Sequence, residues 1–397
     1  MKRIFADLHI HVGISEQGQW VKIPTSRRLT IRNIFNESIH RKGLDLIGVV
    51  DALSPLVLED LERLEAKGLL LLLSGGGYRY KGILTVLLGA EIETTEVNGG
   101  QAHSLIFLPS ISEMREFCVR MSRHIKNINL SSQNAHMTLG DLINIASEHE
   151  AMIIPAHIFT PHKSLFGVCC DSLEQILTDN QIDKITAVEL GLSADSVMGD
   201  RIAGLDQFSF LSNSDAHSLE KIAREYNVIS VADSNYTEFY KACLRKEGRQ
   251  ISVNYGLNPR LGKYYRTFCA YCGTARPEEA ISISSCYHCG KSKYIKGVKD
   301  RIDEIAFKGL INQPQYRAPY IYQIPLEFLP GIGKKTIEKL LHEFGTEINI
   351  LHRVTFNQLI SAIGERLAKE IETARTGQAN IIDGGGGIYG RIFKNLI

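Results

Sequence analysis

Arg3-Ile4-Phe5-Ala6-Asp7-Leu8-His9-Ile10-His11 begins as an apolar run and ends in an H-x-H pair. Side chains two apart on a strand share a face, so both imidazoles can reach one metal ion. The same construction recurs downstream. Residues 44–50 lead into Asp51, and 85–90 lead into Glu91. His103 opens the run 104–108, residues 152–156 end at His157, and 208–211 precede Ser212-Asn213-Ser214-Asp215-Ala216-His217. Helical patterns at 31–41, 58–66, 139–149 and 173–180 lie between several of the runs. Strand and helix in turn predict an α/β fold with a largely parallel sheet or barrel. Seven apolar runs, at 3–6, 44–50, 85–88, 104–108, 151–154, 187–190 and 208–211, favour the barrel. In such folds the carboxyl ends of strands converge, which would gather ligands more than 200 residues apart. One histidine near a strand end is usually just hydrogen-bonded; the ordered set is what points to metal.

Asp7-Leu8-His9-Ile10-His11, Val50-Asp51, Gly89-Ala90-Glu91, His103, Pro155-Ala156-His157 and Ser214-Asp215-Ala216-His217 resemble the motifs of the polymerase and histidinol phosphatase (PHP) family, over residues 1–235. The resemblance implies a distorted (β/α)7 barrel with two or three metals and phosphoesterase chemistry. One metal would take His9, His11, Glu91 and Asp215, and a second Glu91, His103 and His157. A third would lie near Asp51 and His217. Asp215, Glu91, His11 and His217 are the expected catalytic residues. Many members carry histidine after the aspartate of the second motif; here Ala52 stands there, leaving the metal count open. Imidazole with carboxylate suits Zn²⁺, Mn²⁺ or Fe²⁺, and Mg²⁺ stays open as well. A bridging Glu91 or Asp215 would let two ions stabilise both oxygens of a phosphoryl transfer. His162, Glu189 and Asp195 are further candidates, with core or surface roles weighed equally.

The 397-residue chain has a net charge of +1, yet residues 260–299 hold eight Lys or Arg against two Glu. That local basic patch suits a polyanion. No apolar window approaches a membrane span, and the N-terminus lacks signal-peptide character, so a cytoplasmic location and no membrane partner are expected. Cys269-x-x-Cys272 and Cys286-x-x-Cys289, each followed by glycine, predict two knuckles holding one structural Zn²⁺. Tyr264, Tyr265, Tyr271, Tyr287, Lys291 and Lys293 around them suit stacked bases and phosphates, or packing about a small metal core. Residues 298–307 read as a helix and 313–322 as an extended linker.

Phe328-Leu329-Pro330-Gly331-Ile332-Gly333-Lys334-Lys335-Thr336 resembles a helix–hairpin–helix. Gly331 and Gly333 permit a tight turn that offers backbone N–H groups to a DNA phosphate, with Lys334 and Lys335 adding charge. A degenerate second copy is expected at 356–374. Three domains follow: a metal-dependent phosphoesterase barrel (1–250), a four-cysteine zinc module (256–298) and a helical DNA-binding domain (299–397).

That order, with Ser164-Leu165-Phe166-Gly167 and Leu192-Ser193-Ala194-Asp195, resembles the endonuclease Q family across nearly the whole chain. The resemblance implies a repair nuclease that cuts on the 5′ side of uracil, hypoxanthine, xanthine or an abasic site. Damaged DNA is then the expected partner; a sliding clamp stays an open one. Reading the damage would require flipping the base out, and Ser74-Gly75-Gly76-Gly77-Tyr78-Arg79-Tyr80 is a candidate loop for it. Two alternatives remain: a phosphatase or exonuclease acting on small or terminal phosphates, and a DNA-binding adaptor with an inactive barrel.

Overall fold

Lys2–Ile10 (β1), buried throughout from Ala6, is followed by the strands Leu46–Val49 (β2), Leu70–Leu72 (β3), Tyr78–Tyr80 (β4), Leu84–Thr95 (β5), Gln101–Leu108 (β6), Met152–Pro155 (β7), Val188–Glu189 (β8), Phe210–Leu211 (β9), Tyr226–Val231 (β10) and Gln250–Gly256 (β11). The computed structural model describes residues 1–277, 285–306, 313–377 and 380–393. Seven of these strands close a ring. β1–β2 and β2–β5 are parallel, whereas β5–β6 and β6–β7 are antiparallel. Thr186 N donates to Ile153 O at 2.8 Å, joining β7 to the segment before β8, and β8–β9 is parallel. Ala216 N to His9 O (3.1 Å) and His11 N to Ala216 O (3.2 Å) return the ring to β1. The expected distorted barrel is thus present, and its distortion is a hairpin: β5 and β6 join through a short turn where a regular β/α repeat would place a helix.

Two apolar layers hold the ring. Ile4, Ala6, Leu8, Leu46, Leu87, Phe107, Ile154 and Leu211 fill the interior, and Ile10, Ile47, Val49, Leu88 and Ala90 face the surrounding helices. β1 changes layer partway along. Ala6 pairs with Leu46 and Asp7 with Ile47, but Ile10 pairs with Val49, so β1 spends one extra residue in a β-bulge. Before the bulge the even-numbered residues point inward; after it, His9 and His11 do. Gly48 makes the room, because a Cβ there would lie 2.5 Å from Leu8 O.

Thr30 caps the helix Ile31–Asn36, which runs on as the π-helix Glu37–Lys42; Thr138 and Asp141 form a capping box on Leu139–Ser147. The helix expected at 173–180 is instead a 3₁₀ turn, Leu173–Gln175, then a short helix, Asp179–Ile182, because the Thr178–Gln181 capping box starts a new turn there. β11 runs across the expected domain limit at residue 250, and Tyr320–Tyr322, from the extended segment, adds to β11 as a parallel edge strand. Val298–Ile305 is helical as expected; Phe307, the end of that pattern, lies outside the described residues. Among the described residues no helix is long and apolar enough to cross a membrane.

Candidate metal centre and nucleic-acid interface

The inward positions of β5, β6 and β8 carry apolar side chains toward one end of the ring and polar ones at the other: Leu87 gives way to Glu91 and Glu93, Leu105 to His103, and Ala187 to Glu189, while the loop after β9 brings Asp215 to the same end. Glu91 stands in the middle. Its Oε1 is 2.9 Å from His103 Nδ1 and 3.4 Å from both His157 Nε2 and His9 Nε2. Asp215 Oδ1 lies 3.3 Å from His11 Nε2 and 3.5 Å from His9 Nε2. His9, His11 and Asp215 form one group and Glu91, His103 and His157 another, the ligand atoms of each within 4.8 Å of one another. With metal–ligand bonds of about 2.0–2.2 Å, each group fits a divalent ion. His157 (φ 33°) and Asp215 (φ 46°) hold left-handed backbone, a strain that clusters at functional sites.

Each of three imidazoles presents one nitrogen to a cluster and gives the other to a carboxylate. His9 Nδ1 meets Glu189 Oε2 at 3.0 Å, His11 Nδ1 meets Asp51 Oδ1 at 3.0 Å, and His103 Nε2 meets Glu93 Oε2 at 3.2 Å. Such partners fix ring orientation and raise ligand basicity. Asp51 therefore faces the back of His11, where it also accepts from Val12 N at 2.5 Å. His217 packs edge-on to the His11 ring at 4.7 Å, and its Nδ1 donates to Asp215 O at 3.0 Å. Among the described residues, neither Asp51 nor His217 enters a three-ligand group. Burial opposes ionisation at Glu91, yet His103, Lys22 and His11 hold its carboxyl well below the usual range. His9, His11 and His217 do the same for Asp215 against its burial. Burial pushes the His217 imidazole down to about 4. Lys22, Glu93, Ser131 and Ser132 also reach the centre and were missed in the sequence; only Glu93 carried a signal, by alternation from Glu91.

A cavity of about 260 Å³ opens beside the centre, between Glu91, His157 and His217 on one wall and His162, Lys263 and Tyr264 on the other. His162 meets the Tyr264 ring edge-on at 5.7 Å, so the segment leading to the four-cysteine module borders the cavity. The loop 74–80 is elsewhere. Gly76 packs on Pro109 and Tyr236, Tyr78 accepts from Ile111 N, and Tyr80 lies on Phe35, all at the end of β5 remote from Glu91. Its two tyrosines are buried in the core and the loop lies away from the centre, so the expectation that it reads damage is corrected.

The four cysteine sulfurs converge as expected, with Cys269–Cys289 at 3.5 Å and Cys272–Cys286 at 3.6 Å. Bonds of about 2.3 Å to one tetrahedral Zn²⁺ put sulfurs about 3.8 Å apart, against about 2.0 Å in a disulfide. Gly273 (φ 71°) and Gly290 (φ 69°) turn the two knuckles.

Gly331 (φ 83°) turns the hairpin, and Gly333 caps the helix Lys334–Phe344; both glycines, Lys334 and Lys335 are exposed. The first N–H groups of that helix have no partner within it and point outward. The second copy forms as Phe356–Ile363, Gly364 and Glu365–Thr376, with its Arg366 beside Gly331. Arg41 binds Glu338 (2.7 Å) and Lys42 binds Glu347 (2.9 Å), docking the helices on the barrel.

The arrangement sets two groups of metal-type ligands at the barrel mouth and an exposed hairpin of glycines and lysines at the other end of the chain. The chain is a metal-dependent nuclease of the hydrolase class. Residues 314–346 match the model of the IMS family HHH motif. The Bacillus subtilis (strain 168) protein YqxK is 43% identical over 395 residues, covering 99% of this chain and 100% of that protein. The lesion-specific endonuclease PfuEndoQ from Pyrococcus furiosus superposes with a TM-score of 0.84 at 33% identity, over 98% of this chain and 95% of that one. An endonuclease Q bound to a 27-mer duplex with an abasic lesion at its active site gives 0.84 at 34% identity, over 98% and 96%. The chain belongs to the endonuclease Q family.

Proposed function

We propose that this protein repairs DNA by hydrolysing the phosphodiester on the 5′ side of deaminated bases (uracil, hypoxanthine, xanthine) and of abasic sites, leaving a 3′-hydroxyl and a 5′-phosphate. The observation that carries the proposal is the cavity between the metal centre and the zinc-module approach, which has room for one unstacked base within reach of the reacting phosphate. Lys263 and His162 would read base oxygens there, and Tyr264 would cover the base.

His9, His11 and Asp215 would hold one divalent ion and Glu91, His103 and His157 the other. When bound, such ions stabilise the charge of the attacking and leaving oxygens. Imidazole-rich ligation favours Zn²⁺, Mn²⁺ or Fe²⁺ over Mg²⁺. Glu189, Asp51 and Glu93 aim the ligating imidazoles. Since the Asp215 carbonyl can only accept, His217 carries its proton on Nδ1 and presents a bare Nε2 that can ligate or take a proton. The hairpin N–H groups, with Lys334 and Lys335, would grip the backbone independently of sequence.

The test is a labelled duplex with one uracil or hypoxanthine, with Mg²⁺ or Mn²⁺. A single cut 5′ to the lesion, absent with Asp215→Asn and on undamaged DNA, is expected. Folded, metal-loaded protein that cuts at no lesion would discard the substrate and promote a phosphatase acting on small or terminal phosphates.

A further inference from the structure

Lys22 enters the metal centre on a loop that no strand-end pattern marks. Val21 and Lys22 donate their N–H groups to Gly13 O at 2.9 and 3.2 Å, and Thr25 Oγ1 donates to Lys22 O at 2.5 Å. The side chain is buried, and its Nζ lies 2.8 Å from Glu91 Oε2, 2.6 Å from Ser132 Oγ and 3.0 Å from His11 Nε2. Burying an ammonium is expensive even when it is paired, so a role at this spot must offset that cost. Of the residues expected to hold a third ion on this flank, only His217 keeps an uncommitted ligand atom, its Nε2, too few to hold one. Ala52 has no ligand atom, Asp51 is taken up by His11 Nδ1, Val12 N and Ser131, and the His217 Nδ1 is committed to Asp215 O.

We propose that the Lys22 ammonium stands in for a third metal ion and binds a non-bridging oxygen of the scissile phosphate. The centre would then hold two ions and one fixed cation. An ammonium has three N–H donors. Glu91 and Ser132 take two, and an ion ligated by His11 Nε2 releases the third to the phosphate. The charges agree. Two divalent ions balance Glu91, Asp215, Asp51 and Glu189, Lys163 balances Glu93 at 2.8 Å, and Lys22 leaves one positive charge for one phosphodiester. Lys22 also lies in the wall between the cavity described above and a second one of about 320 Å³ lined by Ser131, Ser132, Gln133 and Lys163, so it faces both approaches to the centre.

This inference rests on the phosphodiesterase reading of the centre but not on the choice of lesion. The full chain is assayed for metal content by mass spectrometry, for hydrolysis of bis(p-nitrophenyl) phosphate, and for inorganic phosphate affinity by calorimetry. Wild type is expected to hold three ions, two in the centre and one at the cysteines. Lys22→Met should keep all three, lose about 100-fold in kcat and bind phosphate on the order of tenfold more weakly; Lys22→Arg should recover part of both. A fourth ion in wild type, loss of centre ions in Lys22→Met, or unchanged phosphate affinity in that variant would overturn the proposal. Wild type that cleaves the small diester but no damaged duplex would sink the lesion reading alone, and the metal count and phosphate affinity decide on Lys22 even for a chain that cleaves neither.

Discussion

The imidazoles and carboxylates at the barrel mouth come from positions 9 to 217, are mostly buried, and rest on an apolar interior that includes Leu8, Leu87 and Leu211. The four cysteines come from positions 269 to 289, with Cys272 exposed and, among the described residues of 268–291, Phe268 the one buried apolar side chain besides cysteine. That interior would hold the first site without its ions; at the second, a bound ion would supply most of the reason to fold. The contrast teaches that losing metal should cost chemistry at one site and structure at the other.

The largest break should come at the cysteines. Cys269→Ser should forfeit much of an apparent zinc affinity worth about 10 kcal/mol or more in comparable modules. Proteolysis should then nick residues near 277 and duplex cleavage should collapse, while hydrolysis of a small diester persists. Equal loss on both substrates would show the two sites to be one cooperative unit. Asp215→Asn comes next: cleavage should fall about 1000-fold with thermal midpoint and cysteine-bound zinc unchanged. Glu189→Gln sharpens the comparison at the carboxylate behind His9, and should weaken centre-metal affinity about 10- to 100-fold, read by metal titration. Gly48→Ala should cost about 1–3 kcal/mol in chemical denaturation, because its Cβ would press on the Leu8 carbonyl at the bulge; an unchanged midpoint would mean that the bulge yields easily. The smallest effect is expected at the hairpin, where Lys334→Ala and Lys335→Ala should each lower the salt slope of DNA binding by about 1 and leave small-diester turnover alone.

Much of the centre was legible because strand alternation is local. Glu91 and His103 follow the interior positions of their own strands by even steps, Asp215 comes just past the end of β9, and the knuckles of Cys269-x-x-Cys272 and Cys286-x-x-Cys289 need only a few residues each. The loop 74–80 misled because glycine and tyrosine in a tight turn look alike whether they meet a base or a core. Lys22 was invisible for a related reason: nothing near it in the chain says that its ammonium is buried against Glu91 and Ser132.

By itself the sequence determined the candidate ligand types, the shared face of His9 and His11, the cysteine knuckles and the hairpin, all set by periodicity or by turns of a few residues. The tertiary structure decided which way that shared face points. Alternation from Ile4, Ala6 and Leu8 would aim both imidazoles outward, and the bulge opposite Gly48 reverses them. It also decided that Asp51 backs His11 and that Lys22 reaches His11 and Glu91. These outcomes depend on register and packing between segments far apart in the chain, and no local pattern encodes them.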